Sequence, residues 1–294
     1  MTFLTHFISG LSLGSVYAII ALGYTMVYGI AKMLNFAHGD VIMVGAYIAF
    51  CSTAYLNMPP WLAVIAAMLF CTCLGIIIER LAYKPLRDAS SLAVLITAIG
   101  VSYFLQNAAL IIWGSAPKVF TSVFDRIDNF RFFDGKLVVA PETLFTVLAC
   151  ILIMAVLSVF INFTKMGKSM RAVSEDNGAA QLMGINVNST ISMTFAIGSA
   201  LAAVAGVLLC SSYPTIMPTT GAMPGIKAFT AAVFGGIGSI PGAMIGGILL
   251  GIIEIFARAY ISTELSDAIV FGVLIIVLLV RPTGLLGKKI SEKV

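Results

Sequence analysis

Charge is scarce in this sequence: of 294 residues only 10% are Asp, Glu, Lys or Arg, against about 25% in soluble domains. Histidine is scarcer still, with two in the whole chain, and no polar stretch is long enough to fold as a separate unit. The shortage of charge excludes an ordinary soluble domain, because a chain that is 60% hydrophobic carries too much apolar side chain for one water-surrounded core of this length. The shortage of histidine argues against a zinc site, which takes three or four ligands. The five cysteines, Cys51, Cys71, Cys73, Cys150 and Cys210, all lie in apolar stretches. Cys71 and Cys73 are too close for the usual zinc pair spacing, and all five read as small core or lipid-facing residues. The first ten residues lack a basic start and a small-residue cleavage site, so no cleaved signal peptide is expected. No metal, cofactor or nucleic-acid partner is expected.

What the chain has in abundance is apolar runs near the 20 residues needed to cross a bilayer. Candidate spans are Leu4–Ile30, Val41–Asn57, Trp61–Tyr83, Leu92–Trp113, Leu144–Phe163, Thr190–Ser212, Ile245–Tyr260 and Ala268–Val280, with a shorter ninth segment, Lys227–Gly236. The expectation is an all-α polytopic membrane protein of eight to nine transmembrane segments, one of them broken or short, in a single domain over residues 1–294. The ninth segment runs into Gly235-Gly236-Ile237-Gly238-Ser239-Ile240-Pro241-Gly242, which reads as a break that no regular helix would tolerate. Irregular backbone at membrane depth survives only against protein or water, so Gly235, Gly236, Gly238 and Pro241 are candidates for the translocation path or its gate. Small residues crowd several spans, among them Gly10, Gly14, Gly246, Gly247 and Gly251, where they let helix backbones approach closely.

The net charge of +4 reflects Lys and Arg in short loops, where they set orientation. Lys84 and Arg87, then Lys165, Lys168 and Arg171, then Arg281, Lys288, Lys289 and Lys293 follow alternate spans and are assigned to the cytoplasm, with Lys32. The N-terminus and the loop 114–142, carrying Asp125, Arg126, Asp128, Arg131, Asp134 and Lys136, then lie outside.

Three constellations stand out. The first is the loop 164–189. Ser174 or Asn177 is suited to cap a short helix, Ala179, Ala180, Leu182 and Met183 offer a small apolar face, and Gly184 supplies a left-handed stop. Such an element suits docking into a groove on a partner. The same region nearly spells a phosphate-binding loop, Asn162-Phe-Thr-Lys-Met-Gly-Lys-Ser169. Asn162 stands where glycine is required, and the segment follows a span rather than a strand, so nucleotide binding is not expected. The second is Asn35-Phe36-Ala37-His38-Gly39-Asp40. His38 and Asp40 invite an acid–base or metal reading, but no second histidine is near. The plainer reading is a helix start capped by Asn35 or Asp40, with Gly39 permitting a tight bend. The third is Glu254 with Arg258, one turn apart and able to neutralise each other. Glu79-Arg80 reads the same way, and Gln106 and Asn107 read as hydrogen-bonding groups between helices. No set of fixed donors and acceptors for a zwitterion is evident in the spans.

Arg171-Ala-Val-Ser-Glu-Asp-Asn-Gly-Ala-Ala-Gln-Leu-Met-Gly-Ile-Asn186 resembles the coupling loop of the LivH-like permease subunits of the branched-chain amino-acid ABC importer family. Gly10 to Ile30 with Leu34-Asn-Phe-Ala-His-Gly-Asp40, Phe234 to Ala243, and Arg281-Pro-Thr-Gly-Leu-Leu-Gly287 are similar to that family's other signatures, in the same order along essentially the whole chain. The resemblance implies a non-enzymatic permease of the bacterial cytoplasmic (inner) membrane, with ATP hydrolysis in partner subunits. It implies two cytoplasmic ATP-binding subunits, a second, related permease (or a copy of itself), and an external substrate-binding protein, besides membrane lipid. It implies ATPase coupling by Arg171, Ala172, Glu175, Asp176, Asn177, Ala180, Leu182 and Gly184, and a place near the path for Asn35, Phe36, His38 and Gly39. Branched-chain amino acids are the expected substrates; urea, short amides and other amino acids are carried by similar permeases. Two other function classes make different demands on the sequence. An ion-coupled secondary transporter predicts carboxylates at a midplane cavity, and Glu254 is the lone deep candidate. An intramembrane enzyme needs a nucleophile with a base or a multi-ligand metal site, and no span supplies one.

Overall fold

The computed structural model describes residues 2–87, 89–125, 127–132 and 137–287; Arg126, Asp134, Lys136, Lys288, Lys289 and Lys293 lie outside the described residues. Every predicted apolar segment is helical: α1 (Thr2–Ala31), α2 (His38–Ala54), α3 (Pro60–Ile78), α4 (Ser91–Trp113), α5 (Pro141–Phe163), α8 (Val187–Ser212), α9 (Ala222–Gly235), α10 (Ile240–Tyr260) and α11 (Ser266–Val280). Between α5 and α8 the loop folds into α6 (Lys165–Glu175) and α7 (Asn177–Leu182). Six of these helices are long and apolar enough to cross a membrane: α1, α3 with its extension, α4, α5, α8 and α10. The helices α2, α9 and α11 are shorter, at 17, 14 and 15 residues.

The sequence reading placed no strands, and the loop 114–142 with the segment after α8 corrects it slightly. β1 (Lys118–Val119) pairs antiparallel with β4 (Thr215–Ile216), and β2 (Phe130–Phe132) with β3 (Leu137–Val139). Short ladders of this kind give loop backbone the hydrogen-bond partners it needs when it packs against the bundle.

Two long helices form the centre. In α1 and α8 four-fifths of the most apolar stretch is buried, whereas in α4 and α5 only 17% is. The exposed face of α4 carries Ile96, Tyr103, Phe104, Ile111 and Ile112, a surface that only a hydrocarbon solvent makes economical. The inner helices meet through missing side chains. A methyl added to Gly251 of α10 would lie 2.2 Å from the Gly14 backbone of α1, and one added to Gly14 would lie 2.6 Å from the Ile248 carbonyl. Backbone contact of this kind takes the place of the hydrophobic drive that lipid removes.

The α3 helix does not stop cleanly. It widens into a π turn at Glu79–Tyr83 and tightens into a 3₁₀ turn at Lys84–Leu86, which contains the Pro85 ring that a regular helix would not admit in its interior. This places Tyr83 to donate to Asn35 Oδ1 at 2.8 Å. Arg87 contacts Asn188, and Gly29 lies against Gly238. The basic loops after α1, α3 and α5 therefore gather at one end of the bundle. The opposite end holds the Phe3–Phe256 and His6–Tyr260 ring contacts, the β1–β4 ladder and the Cys51–Trp113 contact.

Candidate functional site

Both α2 and α9 begin inside the bundle. His38 opens α2 level with α1: a methyl on Gly23 would come within 2.5 Å of its Nε2, and the Tyr24 ring packs edge-on against it at 4.6 Å. The first turn of α9 meets the first turn of α2 backbone to backbone, since a methyl on Gly221 would lie 1.8 Å from the Gly39 carbonyl oxygen. Phe36, half-buried, packs on Phe229 of α9 at 5.5 Å. Asn35, Phe36, His38 and Gly39 are thus brought together with α9.

Their roles differ from the expected ones. The residue before α2 is Ala37, with no side-chain cap. Asn35 instead accepts from Tyr83, and Asp40 accepts from Gln106 of α4 at 2.9 Å. Gly39 serves close packing inside a regular helix and not a bend. Gln106 does bond between helices as predicted, whereas Asn107 is exposed and turns back to the Tyr103 carbonyl of its own helix.

The glycine-rich break is shorter than the sequence suggested. Gly235 is the last residue of α9, and Gly236 and Gly238 turn the chain with φ of +105° and +92°. Pro241 lies in the first turn of α10, where proline costs no helical hydrogen bond. Ser239 caps that helix, accepting from the Gly242 N–H at 3.2 Å. The Gly235 group sits at the end opposite Gly39 on α9, so the two expected path-lining sets do not form one site. The C-terminal strap pins this corner: the Leu285 and Leu286 N–H groups donate to the Phe234 and Gly235 carbonyls, each at 2.9 Å.

In the loop 164–189 the capping residues are Thr164 for α6 and Asp176 for α7, not Ser174 or Asn177. Asp176 Oδ1 accepts from the Ala179 N–H at 3.0 Å. Asn177 is the exposed first residue of α7 and Glu175 the exposed last residue of α6. Arg171 is exposed and donates to Asn162 at 3.4 Å. Ala172 is half-buried against the core, and Ala180 is buried. Gly184 ends the motif at φ +81°, the left-handed stop read from sequence. Leu182 and Met183 are 90% and 82% exposed, an apolar pair in the open on a loop, as at a docking surface. The stretch that nearly spells a phosphate-binding loop is the end of α5 and the start of α6, with no strand before it.

The charges inside the bundle hold the largest surprise. Glu254 and Arg258 do pair along α10, but they belong to a wider cluster. Lys227 of α9, 5% exposed, donates to Glu254 Oε1 at 2.7 Å and Asp267 Oδ1 at 2.6 Å. The Tyr17 hydroxyl donates to Glu254 Oε2 at 2.9 Å. Glu254 itself is fully buried, and an isolated carboxylate there would cost several kcal/mol. Three donors from α1, α9 and α10 offset that cost. By count the cluster is neutral, two cations and two carboxylates. Glu79 is not paired with Arg80, which is exposed; it accepts from Ser192 at 2.6 Å and pairs with Arg87.

Comparison with known proteins decides the family. The model of a family described as branched-chain amino acid transport system / permease component matches residues 6–278. The chain belongs to this family. It is 47% identical over 303 residues to the high-affinity branched-chain amino acid transport system permease protein LivH of Escherichia coli (strain K12), covering 99% of this chain and 98% of that relative. It is 46% identical to the corresponding permease protein BraD of Pseudomonas aeruginosa, over the same shares of both chains. Among solved structures, PsaBC from Streptococcus pneumoniae in complex with Fab shares the fold, with a TM-score of 0.50 at 15% identity over 94% of this chain and 91% of that one.

The permease is thus a non-enzymatic, multi-pass protein of the cytoplasmic membrane, and its transport system places ATP hydrolysis and substrate capture in other components. Sequence reasoning missed Lys227 in this permease, and with it the role of Tyr17 and Asp267. A signal was present: Lys227 is a lone lysine in an apolar segment, and such residues have partners. The partners are 27 and 40 residues away, beyond the reach of one-turn spacing rules.

Proposed function

We propose that this chain is the permease subunit of an ABC importer for branched-chain amino acids, driven through α7. The observation that carries the proposal is α7 itself: a short helix capped by Asp176, ended by Gly184, with Leu182 and Met183 held out in the open. An amphipathic helix of this form suits a groove on an ATPase subunit, and packed helices pass movement on in discrete steps. Arg171, Ala172, Glu175 and Asn177 complete the surface around it.

In this reading two cytoplasmic ATP-binding subunits grip the loop 164–189 of two permeases, this chain and a related second subunit or copy. An external binding protein delivers the amino acid to the end bearing the loop 114–142. The chain has eight to nine membrane segments, with its N-terminus outside. The extended approach to α9 and α9 itself count together as one crossing. Asn35, Phe36, His38 and Gly39 act where α2 and α9 meet, and Gly235, Gly236, Gly238 and Pro241 act as the hinge beneath. The names of LivH and BraD support the substrate class.

The test is reconstitution. Uptake is expected to require ATP and the partner subunits, and to persist when proton and sodium gradients are collapsed. Gly184→Val, and Glu175→Lys with Asp176→Lys, are expected to insert normally yet hydrolyse ATP without uptake; normal uptake by both removes α7 from the coupling role. The buried Lys227–Glu254–Asp267 cluster favours a second reading, an ion-coupled secondary transporter. Loss of uptake on collapsing the gradients selects it.

A further inference from the structure

A cavity of about 260 Å³ opens beside the buried charge cluster, between α1, α8, the segment leading into α9, α9 and α10. Its polar lining is Tyr17, Tyr213, Thr215, Thr220, Lys227 and Arg258; its apolar lining is Leu13, Leu209, Met223 and Pro224. Leu13 and Tyr213 also line a second cavity of about 430 Å³ nearer the loop end, which carries Asp125 and Glu142. The two form a polar vestibule leading to a smaller, half-apolar chamber.

The charges are not symmetric about that chamber. Lys227 and Arg258 face it, while Glu254 is fully buried behind them and is absent from the lining. Arg258 is one-third exposed at its side chain, and its Nε is buried without a hydrogen-bond partner. Glu254 engages one terminal nitrogen of this five-donor guanidinium, and the exposed remainder of the side chain can donate to a carboxylate. The chamber falls below the roughly 300–1,000 Å³ of drug-sized pockets, so it suits one small molecule.

Resting on the function proposed above, we infer that this chamber is a transit site for the amino-acid substrate, taking its carboxylate on Arg258 and Lys227 and its aliphatic side chain against Leu13, Leu209, Met223 and Pro224. The ammonium faces the hydroxyls of Tyr213, Thr215 and Thr220 and, beyond them, the acidic vestibule. Because the incoming carboxylate competes with Glu254 for Arg258, binding is weak, as passage requires. Discontinuous helices near the bilayer midplane are where transporters place such sites; here α9, which starts inside the bundle, supplies Lys227.

The experiment uses the complete transporter with its ATPases in lipid nanodiscs, in a background with Cys51 and Cys73 replaced by serine and with Thr220→Cys as reporter. Maleimide labelling from the outer side is expected to slow about fivefold at a leucine concentration near four times its dissociation constant. 4-Methylpentanoate, which keeps the carboxylate, is expected to protect as well, and leucinamide, which lacks it, is not. Arg258→Gln is expected to abolish protection, Arg258→Lys to retain part of it. The paired variant Arg258→Gln with Glu254→Gln, which leaves no unpaired charge, guards against misfolding and is expected to lose protection too. Equal protection by leucine and leucinamide, no protection by leucine, or full protection in the paired variant overturns the inference. Uptake without ATP would overturn the importer reading instead, and the labelling result reads independently of it.

Discussion

Two polar regions of this permease are built in opposite ways. The loop 164–189 holds its polar groups in water and its apolar pair Leu182 and Met183 in the open, fixed by two short helices, two side-chain caps and one left-handed glycine. The cluster of Tyr17, Lys227, Glu254, Arg258 and Asp267 holds its charges inside the bundle, fixed by the three successive helices α9, α10 and α11 together with α1, whose Tyr17 lies 237 residues before Glu254. The first combines locally set caps and turns with buried anchors, Met170, Val173 and Ala180, in the bundle core; the second exists only if the fold does. The contrast teaches where each region fails: the cluster by destabilising the protein, the loop by losing a partner.

Four substitutions sharpen that contrast, in order of expected effect on stability. Glu254→Ala strips Lys227 and Arg258 of their shared partner, and is expected to cost on the order of 3–5 kcal/mol, as removal of one side of a buried pair does. Thermal unfolding followed by fluorescence-detected size exclusion measures it; an unchanged midpoint would mean that the cluster is not structural. Gly251→Val forces side-chain atoms into the Gly14 backbone and is expected to cost about 1–3 kcal/mol by overpacking, with the same readout. Asp176→Ala removes the α7 cap, worth about 1 kcal/mol locally. Because α7 reaches the core through Ala180 and is otherwise exposed, the global midpoint should hardly move, while hydrogen exchange in residues 177–182 should rise. Leu182→Asp should leave both unchanged, since the side chain touches little, and yet abolish ATP-driven uptake. A stability loss in Leu182→Asp would break the comparison by showing that the open face of α7 also packs within the fold.

The lipid-facing helices make the same point about legibility. The spans were readable because hydrocarbon demands about 20 apolar residues per crossing, and α4 and α5 carry that demand on exposed faces. The stop at Gly184 was readable because only a residue tolerant of positive φ ends a helix in that way. The choice of Asp176 over Ser174 or Asn177 as cap was not readable, because it depends on where α6 ends, and all three side chains are competent. The early start of α9, and the absence of a side-chain cap on α2, were hidden for a related reason. Neither Ala37 nor Gly221 offers a side-chain cap, and the two first turns lie against each other through Gly39 and Gly221.

By itself, the sequence determined the solvent this chain folds in, the approximate extent of its apolar helices, and a short helix in its largest cytoplasmically assigned loop. Each follows from local composition, period or backbone preference, which act over a few turns. The tertiary structure alone decided which glycines touch, that Asp40 answers Gln106, and that Lys227 finds Glu254 and Asp267. Pairing of buried charge is a contest among all groups within a few ångströms in a low-dielectric interior. Only the packed bundle sets which groups those are.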